Sequence, residues 1–125
     1  MSVWTHVCGS IRFDGIAGLT PEPDCGIPYT FDDDEVQWSK CNIPCGSEGS
    51  LTISVWNNPY ESSLASKTIS IFGDLREYEN EQEIIDYFER ITKGQMIRQA
   101  FYTFHVEGKE ARNFVYKDEG FVEVK

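Results

Sequence analysis

The chain has 125 residues, with 21 acidic side chains against 11 basic ones and a formal net charge of −10. A negative field of this size repels nucleic acids and anionic membranes and attracts basic surfaces, which argues against direct nucleic-acid or membrane binding. Apolar residues at 40% and aromatic residues at 14% can form a packed core, so we expect one folded domain over residues 1–125 and not a disordered chain.

The N-terminal residues lack the basic start and apolar run of an export signal, and no stretch approaches the length of a membrane helix. We therefore expect a cytoplasmic protein. In that compartment the four cysteines, Cys8, Cys25, Cys41 and Cys45, are expected to be thiols. A zinc site made from all four stays an open alternative, although they form no CxxC pair, and we expect no metal and no cofactor.

The first half of the chain predicts strands separated by a long irregular connection. Apolar and polar residues alternate over residues 3–13, which predicts a strand with one buried face. Residues 14–50 carry nine glycines and prolines, and within them only 32–40 has the composition of a short helix, which Asp32 or Asp33 would cap. Alternation resumes over 51–55 and again around 69–71, predicting two further strands.

The second half predicts one main helix followed by strands. Ile84, Tyr87, Phe88 and Ile91 recur at helical spacing over residues 81–93, behind the capping residue Asn80. Strands are predicted over 96–106, 114–116 and 121–124. The fold class is therefore α+β. We expect an antiparallel sheet of four to six strands, in a ferredoxin-like-related βαββαβ order whose first helix is degenerate.

Two segments hold most of the excess negative charge. Residues 13–39 carry seven acids and no base, and residues 74–89 carry seven acids and one base. Within them we select Asp32, Asp33, Asp34, Glu35, Glu77, Glu79 and Glu81 as candidate contacts to a basic partner. The run at 32–35 has two other interpretations, a helix N-terminus or solvated loop, and a divalent-cation site, but it lacks the calcium-loop pattern.

A second candidate site combines aromatic and arginine side chains. Residues on the less apolar side of the strand alternation are predicted to share one sheet face; they are Trp4, His6, Arg12, Trp56, Arg98, Phe101 and His105. This face is either a nucleotide-stacking platform or protein interface, or a covered face packed by the 14–50 connection. Within the first interpretation, a small-ligand site would use Trp4, Arg12, Trp56 and Arg98, with Ser47 from the glycine-containing turn at 46–50, although a tight turn is the simpler interpretation of that loop.

No set of residues identifies a reaction. Cys8 with His6 or His105 would make a nucleophile and base, but nothing in the sequence brings them together or supplies a third group to orient the base. We therefore expect a protein that is not an enzyme, with exposed or half-buried histidines in the sheet.

Residues 1–12, residues 44–51, and residues 73–76 with the helix that follows resemble small uncharacterised proteins encoded by phages and prophages of Gram-positive bacteria. The resemblance implies expression in the cytoplasm of an infected bacterium. It also favours a small non-enzymatic protein that interferes with host machinery, such as an anti-CRISPR or another anti-defence factor.

The sequence thus leads to three functional hypotheses. The first is a phage-type inhibitor that places its acidic surface, as a DNA mimic, in the nucleic-acid groove of a basic host protein. The second is a small-ligand binder, for example a sponge for a nucleotide signal, which would form a homo-oligomer with its pocket between subunits. The third is an immunity protein against a nuclease toxin, which differs from the first only in its partner.

Overall fold

The computed structural model describes residues 2–16, 43–58 and 64–125. The described part is α+β, with one antiparallel sheet and one helix, as predicted; the helix predicted at 32–40 lies outside it. The elements are β1 (Trp4–Ile16), β2 (Thr52–Asn58), β3 (Leu64–Arg76), α1 (Glu81–Thr92), β4 (Met96–Val106), β5 (Arg112–Lys117) and β6 (Gly120–Val124).

The sheet has the order β2-β3-β1-β4-β5-β6, and every neighbouring pair is antiparallel. β1 lies at its centre, paired with β3 over thirteen positions and with β4 on its other side. The register between β1 and β4 shifts at Arg12/Phe13, where β4 carries an extra residue. β1 and β3 both extend beyond the predicted strands, because each continues the other's backbone ladder past the end of the apolar alternation.

Helix α1 covers one face of the sheet. The buried stripe Ile84, Tyr87, Phe88 and Ile91 is the one that the helical spacing predicts. Phe88 stacks on Tyr102 of β4 with ring centroids 4.0 Å apart and planes 3° from parallel. A Cβ atom at Gly9 of β1 would lie 2.9 Å from Phe88 Cε1 and 2.8 Å from Tyr102 Cβ. Because glycine has no side chain, position 9 leaves the space that the Phe88 ring of the helix occupies.

The start of α1 is fixed by local hydrogen bonds. The Asn80 side chain accepts a hydrogen bond from the Glu83 backbone N–H at 3.2 Å, which confirms the predicted cap. Tyr78 donates its hydroxyl hydrogen to the Glu83 carboxylate at 2.7 Å, and the Thr5 hydroxyl donates to the Tyr78 carbonyl. These bonds tie the turn between β3 and α1 to the central strand.

Candidate functional site

The sheet face opposite α1, here called the open face, carries the even-numbered side chains of β1. Strand alternation and the register place six of the seven predicted residues there, namely Trp4, His6, Arg12, Trp56, Phe101 and His105. The seventh, Arg98, is the extra residue of β4 where the register shifts. Across the middle of this face run two rows of residues, here called the central rows. One row is Thr52, Phe72, Cys8, Thr103, Asn113 and Val124, and the other is Ser54, Ser70, Ser10, Phe101, Val115 and Val122.

The central rows contain no charged residue and expose large apolar side chains to solvent. Phe72 is 45% exposed and Phe101 is 47% exposed, and the apolar surface continues through valines to β6. The central rows therefore form an exposed, uncharged and partly apolar band across the open face.

At one end of the open face, His6 lies between two carboxylates. Its Nδ1 is 2.6 Å from Asp74 Oδ1 and its Nε2 is 3.0 Å from Glu107 Oε2. The His105 ring lies beside it, with ring centroids 6.3 Å apart. Hydrogen bonds to Asp74 and then to Glu107 raise the pKa of His6 above 6.5, because both favour the doubly protonated ring. The His6 hydrogen bond also lowers the pKa of Glu107 below 4.5.

This cluster predicts a pH dependence of stability with a definite sign. Because the folded pKa of His6 is raised, its stabilisation is present below 6.5 and is lost as the pH rises through the folded value. The contribution of Glu107 is present above 4.5 and is lost as the pH falls through its lowered value. Both contributions are therefore largest between pH 4.5 and 6.5. An NMR titration of His6 should give a pKa above 6.5 that drops in Asp74→Asn; an unchanged pKa in that variant would refute the pairing.

The His6 cluster lies on the same face of β1 as the Cys8 thiol. Cys8 and Cys45 are exposed and free thiols, while Cys25 and Cys41 lie outside the described residues. Carboxylates contact both ring nitrogens of His6 and favour its charged form, so neither nitrogen is placed to take a proton from Cys8. Among residues 2–16, 43–58 and 64–125, no three His, Cys, Asp or Glu side chains are placed to hold a metal ion.

The proposed small-ligand residues do not converge in the structure. Trp4 and Ser47 lie at the end of β1 and β3 near Arg76, whereas Arg12 and Trp56 lie in one row towards the other end. Arg98 is paired with Asp14, with Nη1 and Oδ2 3.1 Å apart. Eight residues of strand separate Trp4 from Arg12, a distance of roughly 26 Å.

The turn that carries Ser47 uses its own backbone donors. The Gly46 N–H donates to the Gly49 carbonyl, and the Ser47 N–H and hydroxyl both donate to the Arg76 carbonyl. The backbone N–H of Arg76 donates to the Glu48 carbonyl, and its guanidinium Nη1 donates to the Glu48 carboxylate. These bonds leave little donor capacity for an anion and fit a tight turn that caps β3.

The candidate acidic contacts fall into three environments. Asp32, Asp33, Asp34 and Glu35 lie outside the described residues. The Glu81 carboxylate is engaged internally, 3.1 Å from Arg112 Nη1 and 3.7 Å from Lys109 Nζ. Glu77 and Glu79 are exposed in the turn between β3 and α1, and neither pairs with a cation of the described part.

Three further carboxylates continue this surface along α1. Glu83, Asp86 and Glu89 are exposed at three-residue intervals on the side of the helix away from the sheet. Together with Glu77 and Glu79 they make what we call the acidic helix surface. The sequence places these three acids on the polar side of the predicted helix, although they are not among the residues predicted as contacts. Their position outside the apolar stripe of the predicted helix is the sequence signal that identifies them as exposed acids.

A cavity of about 810 Å³ lies between the C-terminal end of α1 and the β5–β6 hairpin. Its wall combines acids and bases, Glu89, Lys93 and Glu119 among them, with the rings of Tyr116 and Phe121.

In the described part, no helix has the length and apolar character needed to cross a membrane. Comparison with protein-family models, curated proteins and solved structures found no match.

Proposed function

We propose that this chain is a non-enzymatic binding protein of the phage-inhibitor type, an anti-CRISPR or other anti-defence factor. Its acidic helix surface would occlude the basic groove of a nucleic-acid-binding host protein, in the cytoplasm of the host bacterium. The observation that carries the proposal is the set of exposed carboxylates on that surface, of which Glu77 and Glu79 form no ion pair within the described residues.

The spacing of these carboxylates supports the proposal. Residues three apart in an α-helix are separated by about 4.5 Å along the axis, so Glu83, Asp86 and Glu89 form a row of negative charge about 9 Å long. Glu77 and Glu79 extend this row beyond the helix N-terminus. A groove lined by Lys and Arg that binds the phosphates of a nucleic acid would meet a similar line of negative charge on this surface. The complementary charge would speed association.

The backbone at Glu77 offers a substitution that can separate stability from binding. Glu77 has φ 55°, in the left-handed region where a residue with a side chain is strained. Its N–H donates to the Val3 carbonyl at 2.7 Å, which holds the turn in place. Glycine adopts this conformation without strain, so the backbone at this position does not require a glutamate.

Glu77→Gly should therefore separate stability from binding. We expect the free energy of unfolding to stay constant or to rise by up to about 1 kcal/mol, because glycine relieves the strain. Capture of a partner from lysate should fall, because a charge is lost. Glu79→Gly is the matched control: it removes the same charge at a position without positive φ, and should lose about 0.5–1 kcal/mol. Full partner capture by both variants would contradict the proposal.

The immunity-protein hypothesis would use the same surface and differs only in the partner that is captured.

For the fold, we propose that β1 to β4 with α1 are a variant of the ferredoxin-like plan. Its support is that β3 and β4, which α1 connects, are separated by β1, as in a split βαβ unit. The β5–β6 hairpin then extends the sheet at the edge formed by β4.

A further inference from the structure

The contacts of His6 require a charged ring. Its Nδ1 lies 2.6 Å from Asp74 Oδ1 and its Nε2 lies 3.0 Å from Glu107 Oε2. An ionised carboxylate can only accept hydrogen bonds, and a neutral imidazole has a single N–H to donate. Both contacts can therefore be hydrogen bonds only while His6 carries both ring protons. When the ring loses one of them, one carboxylate faces a nitrogen lone pair and is repelled.

The contact with Glu107 is the one that should break. The Asp74 contact is the shorter of the two, so we expect the remaining proton to stay on Nδ1. Glu107 is exposed in the turn that follows β4, where its side chain can rotate into solvent. Loss of a proton from His6 should therefore move the Glu107 carboxylate away from the ring.

The same carboxylate holds the first residue of β1. Its Oε1 accepts a hydrogen bond from the Trp4 backbone N–H at 3.1 Å, and the Glu107 backbone N–H donates to the Trp4 carbonyl at 3.0 Å. The carbonyl of the preceding residue, Val3, accepts the Glu77 N–H at 2.7 Å. Rotation of the Glu107 side chain would remove the acceptor of the Trp4 N–H. The protonation state of His6 thus reaches the backbone at this end of β1.

We infer that His6, Asp74 and Glu107 form a pH-sensitive latch that holds the N-terminal end of β1 on the turn after β4. The latch is closed while His6 carries both ring protons, and it opens when one is lost. The raised pKa of His6 and the lowered pKa of Glu107 keep it closed between pH 4.5 and 6.5. It opens as the pH rises through the folded pKa of His6.

The other charged and titratable groups near His6 have partners of their own or lie at the side. Arg76 of β3 pairs with Glu48, and Lys109 of the turn after β4 lies 3.7 Å from Glu81. His105 of β4 has its Nε2 2.8 Å from the Lys109 carbonyl, so it donates there in either charge state. Cys8 is the next residue of β1 on this face. Of the described groups, Asp74 and Glu107 are the ones that contact the His6 ring nitrogens.

The effect should be a local opening and not unfolding of the domain. The side chains of His6 and Glu107 are each 44% exposed, and contacts between exposed charges contribute little to global stability. Loss of one such hydrogen bond should lower the protection of the Trp4 amide against solvent exchange about two- to fivefold.

Solvent exchange of the Trp4 backbone amide tests the latch. NMR magnetisation transfer from water gives the exchange rate, which is divided by the rate of an unstructured chain at the same pH, so that the direct effect of pH cancels. The ring carbon shifts of His6 report its ionisation in the same samples. From about pH 5.5 upwards, we expect the protection of Trp4 to fall with a midpoint at the His6 pKa.

Two conservative variants should abolish this transition. In Glu107→Gln the side-chain amide can donate to Nε2 of the neutral ring while its oxygen accepts from Trp4. In Asp74→Asn the neutral ring can keep its proton on Nε2 and donate to Glu107. His105→Gln is the control, which removes the neighbouring titrating ring and should still show the Trp4 transition. Circular dichroism shows that each variant folds, and either of the first two suffices.

Three results would overturn the inference. The first is a Trp4 protection in the wild type that stays constant while His6 titrates. The second is a fall like that of the wild type in folded Glu107→Gln or Asp74→Asn. The third is a transition that His105→Gln abolishes. The measurement uses the free protein, so the latch stands or falls independently of the proposed function.

Discussion

Replacing Phe88 by alanine should lower the free energy of unfolding by about 3–5 kcal/mol, the largest stability effect of a single substitution that we expect here. Phe88 is fully buried and its ring stacks on Tyr102 and contacts Tyr87 and Phe121 edge-on. Removing the ring would leave a cavity between α1 and the sheet that backbone and neighbouring rings could fill only in part. A domain of this size has a total stability of about 5–15 kcal/mol, so the loss would be a large part of it.

Chemical denaturation followed by circular dichroism measures this effect, and Phe72→Ala is the control. It makes the same truncation on the open face, where the ring is 45% exposed, and should change the free energy of unfolding by less than about 1 kcal/mol. Equal losses in the two variants would mean that α1 does not dock over Gly9 as described.

Local signals were sufficient to predict the helix. The buried stripe of α1 and the cap at Asn80 are encoded within a dozen residues, so spacing alone located them. The order of the strands is a long-range property: β1 lies between β3 and β4, and no local pattern states which strands are neighbours. The α+β class could therefore be predicted, while the sheet order required the structure.

The charged sites show the same division between local and long-range information. Sequence identified Glu77, Glu79 and Glu81 as one acidic group, but Arg112 reaches Glu81 from 31 residues away and neutralises it. Likewise, His6 lies between Asp74 and Glu107, which are 68 and 101 residues further along the chain. Sequence gives the number and position of charges, whereas only the fold decides which of them are paired.

Reversing the charge at Glu77 and Glu79 should reduce partner binding by one to two orders of magnitude. Each Glu→Lys change replaces an attraction to a basic groove by a repulsion, and pairs of opposite charge at an interface couple by about 1.5 kcal/mol or more. The effect should be largest at low salt, because exposed charges are screened at high ionic strength. Asp32→Lys, Asp33→Lys and Asp34→Lys together form a second test variant, for the other acidic segment.

The control for this experiment is Asp118→Lys with Glu119→Lys. These residues are exposed and also have positive φ, at 53° and 67°, and they lie in the turn after β5, at the other end of the sheet from Glu77. The control thus makes the same change in net charge on a comparable backbone. Any effect of total charge alone would appear equally in both variants.

The most direct measurement is affinity capture of the tagged protein from lysate of its native host, at low and high salt, with mass spectrometry of the proteins that co-elute. We expect a nucleic-acid-binding protein that is retained at low salt and lost at high salt. The Asp118→Lys, Glu119→Lys control should retain it, and the Glu77→Lys, Glu79→Lys variant should not. Retention of the same protein by the Glu77→Lys, Glu79→Lys variant, or capture that is independent of salt, would contradict inhibition through the acidic helix surface.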